Sequence, residues 1–121
     1  MRKVKSAPNA IAKELTVGEL AARSGQPAST IRFYESKGLI QSSRTSGNQR
    51  RYPREMLRRV AVIKVAQRVG IPLDAIRDAL LSLPKGRTPT AEDWGAMSTR
   101  WRGKLDDQIA RLIRLRDDLT N

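Results

Sequence analysis

The chain has 121 residues, enough for one modest domain with a real core or for a small domain plus an extension. Lys and Arg number 24 against 12 Asp and Glu, a formal net charge of +12 that attracts polyanions before any contact is specified. There is no Cys and no His, so thiol chemistry, His general-base catalysis, Cys/His zinc sites and cysteine-ligated iron–sulfur clusters are excluded within these residues, and no enzyme is expected.

The charge is lopsided: residues 1–70 hold 15 basic and 4 acidic side chains, whereas 71–121 hold 9 and 8. The front two-thirds is therefore expected to meet nucleic acid, and the back third to do something else. The opening MRKVKSAPNAIAK is basic but lacks the apolar segment of a secretory signal, and no apolar run approaches a membrane span. A disordered basic arm over residues 1–13 and a cytoplasmic location, with no membrane partner, are the expectations.

Val17–Gly25 reads as a short helix because Val17, Leu20 and Ala21 share a face, with Thr16 and Glu19 spaced as a capping box and Gly25 as the stop. A second helix runs from Pro27 to Lys37, ended by Gly38, so the two form a helix-turn-helix. Ile31 should point inward towards Leu20 and Leu39. The second helix offers Ser29, Thr30 and Arg32 at its start, and in a helix-turn-helix those positions read the major groove. Of Phe33 and Tyr34, one is expected in the core and the other with a polar tip able to reach a phosphate.

Residues 41–51 are polar, with Ser46-Gly47-Asn48 as turn chemistry and Ile40 and Tyr52 as flanks, the pattern of a β-hairpin wing. Arg44, Asn48, Arg50, Arg51 and Tyr52 carry its donors for phosphate or minor-groove contacts. Pro53 to Gly70 is the core helix, apolar on more than one side. A further helix carries Leu73, Ile76, Leu80 and Leu83 and is stopped by Pro84-Lys-Gly86.

The last helix starts near Thr90, with Asp93 three residues on, and runs to about Leu119, a span of ~43 Å that a domain of this size cannot cover alone. Ser98, Leu105, Leu112 and Leu119 fall at one heptad position, and Trp94, Trp101, Gln108 and Leu115 at the other, with Ile109 and Ile113 widening the stripe. Trp94, Trp101, Leu105, Ile109, Leu112, Leu115 and Leu119 are thus the expected homodimer interface. Asp106, Asp107, Asp117 and Asp118 diverge around the helix and give no catalytic pair. The fold expected is mainly α: a winged helix-turn-helix domain over 14–84, then a linker and dimerisation coiled-coil helix over 85–121.

TVGELAARSG, TIRFYESKGLI and RTSGNQRRY, followed by a helix, resemble the N-terminal domain of the MerR family of bacterial transcription regulators. YESKGLI, SGNQRRY, VAVIKVAQRVGIPL, LSLPKGRTP and WRGKLDDQIARLIRLRDDL resemble its redox-responsive SoxR branch, so that the likeness covers residues 15–119. The resemblance implies an antiparallel coiled-coil dimer that binds a pseudo-palindromic promoter and activates by distorting it, with RNA polymerase an indirect partner. It also implies DNA contacts by Arg23, Ser29, Arg32, Tyr34, Arg50 and Tyr52. Arg32 stands where SoxR proteins commonly have His, and Pro27 replaces a capping residue. SoxR proteins carry a four-cysteine [2Fe–2S] site just after the coil. No cofactor is expected in this chain, and redox sensing is expected only if the gene product continues beyond Asn121, the truncation that the ending suggests. The competing readings are a coiled-coil interaction module with a non-specific basic front, and an RNA binder. Five aromatic residues are too few for the stacking platform that an RNA binder would need.

Overall fold

The computed structural model describes residues 14–120; the arm expected at 1–13 lies outside the described residues. The elements are α1 (Val17–Ser24), α2 (Ala28–Ser36), β1 (Ser43–Arg44), β2 (Arg50–Arg51), α3 (Met56–Arg68), α4 (Leu73–Leu81) and α5 (Ala91–Thr120). They form two compact units that divide after Arg77, inside α4, while the linker expected from 85 onward lies further along the chain.

In the first unit, α1 packs on α2 and α3. Its start is fixed by a reciprocal capping box, the Glu19 amide donating to Thr16 Oγ1 at 3.1 Å and the Thr16 amide to Glu19 Oε1 at 2.9 Å. Gly25 ends it at φ +73°, a left-handed conformation that costs a side-chain-bearing residue, and its amide closes on the Ala21 carbonyl at 3.0 Å. Pro27 caps α2 with no side-chain hydrogen bond; its carbonyl accepts from the Thr30 and Ile31 amides. Ile31, Leu20 and Leu39 are buried as the apolar spacing predicts, with Leu15, Ile40, Met56, Val60 and Ile63 completing the centre of this core.

The wing is shorter than its sequence suggests. Ser43 pairs with Arg51 and Arg44 with Arg50 in a two-stranded antiparallel ribbon, and Ile40 stands outside it as a buried loop residue. The turn closes through the Asn48 amide on the Thr45 carbonyl at 2.8 Å, with Asn48 at φ +62°, a region that Asn tolerates better than most residues. Tyr52 leaves the hairpin to pair with Leu15, exchanging two backbone hydrogen bonds of 2.7 Å that tie the wing's base to the segment entering α1. Two-stranded ribbons are marginal alone, so this bridge matters to the wing's stability.

The core helix starts at Met56 rather than at Pro53, because residues 54–55 form a turn in which the Pro53 carbonyl accepts from the Met56 amide. Arg59, 4 % exposed, is neutralised by Glu55 at the helix's N-cap, whose Oε1 lies 3.1 Å from both Nε and Nη2.

The second unit holds the end of α4 and all of α5. Thr90 caps α5 as expected: the Asp93 amide donates to Thr90 Oγ1 at 3.2 Å and the Thr90 amide to Asp93 Oδ2 at 2.7 Å. Hydrogen bonding from the exposed Arg87 guanidinium, and then from Thr90, lowers the Asp93 carboxyl to about 2. Leu80, Leu83, Trp94 and Met97 are buried. From Ile109 onward the helix's apolar residues Ile109, Leu112, Ile113, Leu115 and Leu119 are all exposed on the single chain. Trp94 corrects one expectation: at 5 % exposure it is already core, so the exposed stripe begins beyond it, and Trp101 and Leu105 are half-buried.

Candidate nucleic-acid interface

The site is built on α2 and the wing. Ile31 and Tyr34 turn into the core, which leaves Ser29 and Arg32 exposed and Thr30 half-exposed on the outer side of the helix. Arg32 makes no hydrogen bond or ion pair among the described residues, so its guanidinium fork is available to a ligand. Alongside it, Arg44, Asn48, Gln49, Arg50 and Arg51 of the wing join Thr16, Val17 and Arg32 around one open cleft of about 360 Å³. Five of the ten residues expected at DNA are thus gathered on one surface that carries four guanidinium groups.

Those wing arginines are pre-arranged. Arg44 Nη1 donates to the Asn48 carbonyl at 3.1 Å and to its Oδ1 at 3.4 Å across the turn. Arg51 donates from Nη1 to the Arg50 carbonyl and from Nη2 to Gln49 Oε1 at 3.1 Å. Each keeps further N–H groups for an anion, with less conformational freedom to lose when one binds.

Glu35, which sequence reasoning did not single out, organises the site from behind. Its Oε1 accepts from the Tyr52 hydroxyl at 2.6 Å and lies 3.4 Å from Arg50 Nε, while Oε2 accepts from Ser42 Oγ at 2.5 Å. One carboxylate on α2 therefore holds the residue before β1, a residue of β2 and the residue after it. Burial pushes the Glu35 carboxyl up, but the Ser42 and Tyr52 hydrogen bonds and the charges of Arg50 and Arg44 outweigh it and hold the group below the usual carboxylate range. For Tyr52, burial and then the bond to Glu35 push the hydroxyl up to about 12.

The two tyrosines correct the sequence reading. Tyr34 is buried with its hydroxyl donating to Gln67 Oε1 at 2.8 Å, and Tyr52 is fully buried with its hydroxyl on Glu35, so neither presents the free polar tip expected at a phosphate. Phe33 is the exposed member of its pair instead. Arg23, also exposed, stands apart from the cleft and borders a second depression of about 460 Å³ with Ser24, Lys64 and Arg68.

Two short helices joined by a tight turn, a basic hairpin and a long helix in a separate unit define a winged helix-turn-helix protein of the DNA-binding class. The chain belongs to the MerR family: residues 15–83 match the MerR helix-turn-helix regulatory protein model and residues 57–121 the MerR DNA-binding model. It is 50 % identical over 105 residues, covering 87 % of this chain and 71 % of the relative, to the HTH-type transcriptional activator SoxR homolog of Chromobacterium violaceum. It is 41 % identical over 69 residues, 56 % of this chain and 48 % of the relative, to the mercuric resistance operon regulatory protein of Pseudomonas fluorescens. Among solved structures it is similar to HiNmlR, a MerR family regulator lacking the sensor domain, bound to promoter DNA (TM-score 0.56, 25 % identity, 88 % of this chain and 84 % of that one). The family is one of DNA-binding transcription regulators and not of enzymes. The [2Fe–2S] cluster of the SoxR branch does not fit these residues, which contain neither Cys nor His to ligate it. Among the described residues, no helix is long and apolar enough to cross a membrane.

Proposed function

We propose that the protein binds one pseudo-palindromic promoter operator as a homodimer and regulates transcription by distorting that DNA, with RNA polymerase affected through the promoter. The observation that carries this reading is the cleft in which Arg32 of the reading helix and Arg44, Arg50 and Arg51 of the wing share one surface. In this reading Arg32, Ser29 and Thr30 contact base edges, while Arg23, Arg44, Asn48, Arg50 and Arg51 hold the backbone. Dimerisation runs through the exposed stripe of α5, with Trp101, Leu105, Ile109, Leu112, Leu115 and Leu119 on it. The relative named a transcriptional activator supports activation, and the neighbour bound to promoter DNA supports the promoter as the binding partner. Redox sensing needs ligands absent from these residues and is no part of the proposal.

Selection from random duplexes tests it: an inverted repeat should be enriched. If each dimer neutralises ~8–10 phosphates, log affinity against log salt should slope at about −7 to −9. Binding of all duplexes alike would sink the proposal. Light scattering addresses the competing interaction module, since a stable monomer of the purified chain contradicts the homodimer.

A further inference from the structure

We propose that Phe33 is a base-reading residue: its ring packs on the 5-methyl group of a thymine in the major groove and sets a T·A preference at one position of each half-site. The inference rests on the regulator reading above and goes beyond it by naming a contact outside the polar set.

Four residues of α2 lie away from the side that Ile31 and Tyr34 bury. At 100° per residue, Ser29, Arg32, Phe33 and Ser36 form that outer side, and all four are exposed. Phe33, 43 % exposed, is the single large apolar residue among them. One exposed apolar residue on an arbitrary surface means little, but this one stands on the side of the helix that carries Arg32. Its ring has two neighbours on the same helix end. It sits tilted at 51° to the buried Tyr34 ring with centroids 6.3 Å apart, and Lys37 Nζ lies 5.6 Å from its centroid.

The chemistry of the groove then selects the partner. Phosphates and base-edge donors and acceptors offer an apolar ring nothing, whereas thymine presents a methyl group on the major-groove edge. Stacking on an extruded base would call for a second ring to close the sandwich, and Tyr34 and Tyr52, the other aromatic residues of the described part of this unit, are both buried. Phe33 follows Ser29 by one helical turn, ~6 Å along the axis, or about two base-pair steps. Phe33 is next to Arg32 in the chain, so the thymine should fall within about two base pairs of the guanine that Arg32 reads.

The test uses the whole chain and the duplex enriched by selection. Each thymine is replaced in turn by deoxyuridine, which deletes only the methyl group, in one half-site and then in both. One thymine per half-site should weaken binding about fourfold on losing its methyl, and about 15-fold when both half-sites are changed, the free energy of one buried CH₂ converted to affinity. Phe33→Ala and Phe33→Gln should bind the thymine and uracil duplexes equally. Wild-type binding unchanged at every uracil position overturns the proposal without any variant being needed, as does a Phe33→Ala or Phe33→Gln chain that keeps the wild-type methyl sensitivity. Enrichment of no sequence at all would overturn the regulator reading together with this one; enrichment without methyl sensitivity overturns this one alone.

Discussion

The Glu35 carboxylate accepts the Tyr52 hydroxyl hydrogen bond at 2.6 Å, so helix α2 and the residue that follows β2 share one half-buried acceptor. Removing the acceptor strands a buried hydroxyl and frees Arg50 and Ser42 together. Glu35→Ala should destabilise the chain by about 2–3 kcal/mol, and Tyr52→Phe by about 1–2 kcal/mol, in urea denaturation. Equal stability of Glu35→Ala and wild type would show that the network contributes nothing net.

That carboxyl also fixes a pH dependence. Its folded pKa lies below the ordinary value, so the stability it contributes is present at neutral pH and is lost as pH falls through the carboxylate range. Glu35→Gln should flatten the acid limb of a stability–pH curve. With no His and no Cys, no side chain of ordinary pKa titrates between about pH 6 and 8, and stability should be level there. A marked step near neutrality would contradict this.

Arg32 and Arg50 should fail differently. Arg32→Ala removes an uncommitted fork and should relax specificity at one base pair by ~1–3 kcal/mol, whereas Arg50→Ala should weaken all duplexes alike and lower the salt slope by about 1 for each phosphate left without its cation. Titrations of matched and mismatched duplexes separate the two; uniform weakening by both variants would refute the division.

On α5, Leu112→Glu places a charge in the exposed stripe and should leave the chain monomeric by sedimentation while the helix-turn-helix unit keeps its fold, since Leu112 falls in the separate second unit. DNA binding should then lose its two-site cooperativity. A dimer that survives this change would place the interface elsewhere.

Thr16→Ala tests the local start of the site. It breaks the reciprocal cap with Glu19 and should cost about 1 kcal/mol in thermal or urea melts. An unchanged melt would mean that tertiary packing, not the cap, fixes the start of α1.

The parts legible in the sequence were those whose partners lie within a turn of each other. Thr16 with Glu19, Gly25, the turn at Asn48 and the Thr90–Asp93 cap each follow from spacings of a few residues, and the α5 stripe follows from its heptads. What periodicity cannot show is pairing at a distance. Glu35 finds Ser42 and Tyr52 seven and 17 residues away, Tyr34 finds Gln67 33 residues away, and Leu15 pairs with Tyr52 across the whole helix-turn-helix. The direction of Phe33 against Tyr34 had the same cause. Both are aromatic, and only the position of Ile31, three residues before Tyr34, hints at which one shares the buried side. Trp94 fits the heptad by number, yet it is buried in the single chain.

The most direct test is a hydroxyl-radical footprint of the full chain on its selected duplex. Two symmetric sets of protections should appear, one for each reading helix with a flanking set for each wing, at a stoichiometry of two chains per duplex. Uniform protection along the DNA, or a single unsymmetrical patch at one chain per duplex, would contradict a sequence-reading homodimer.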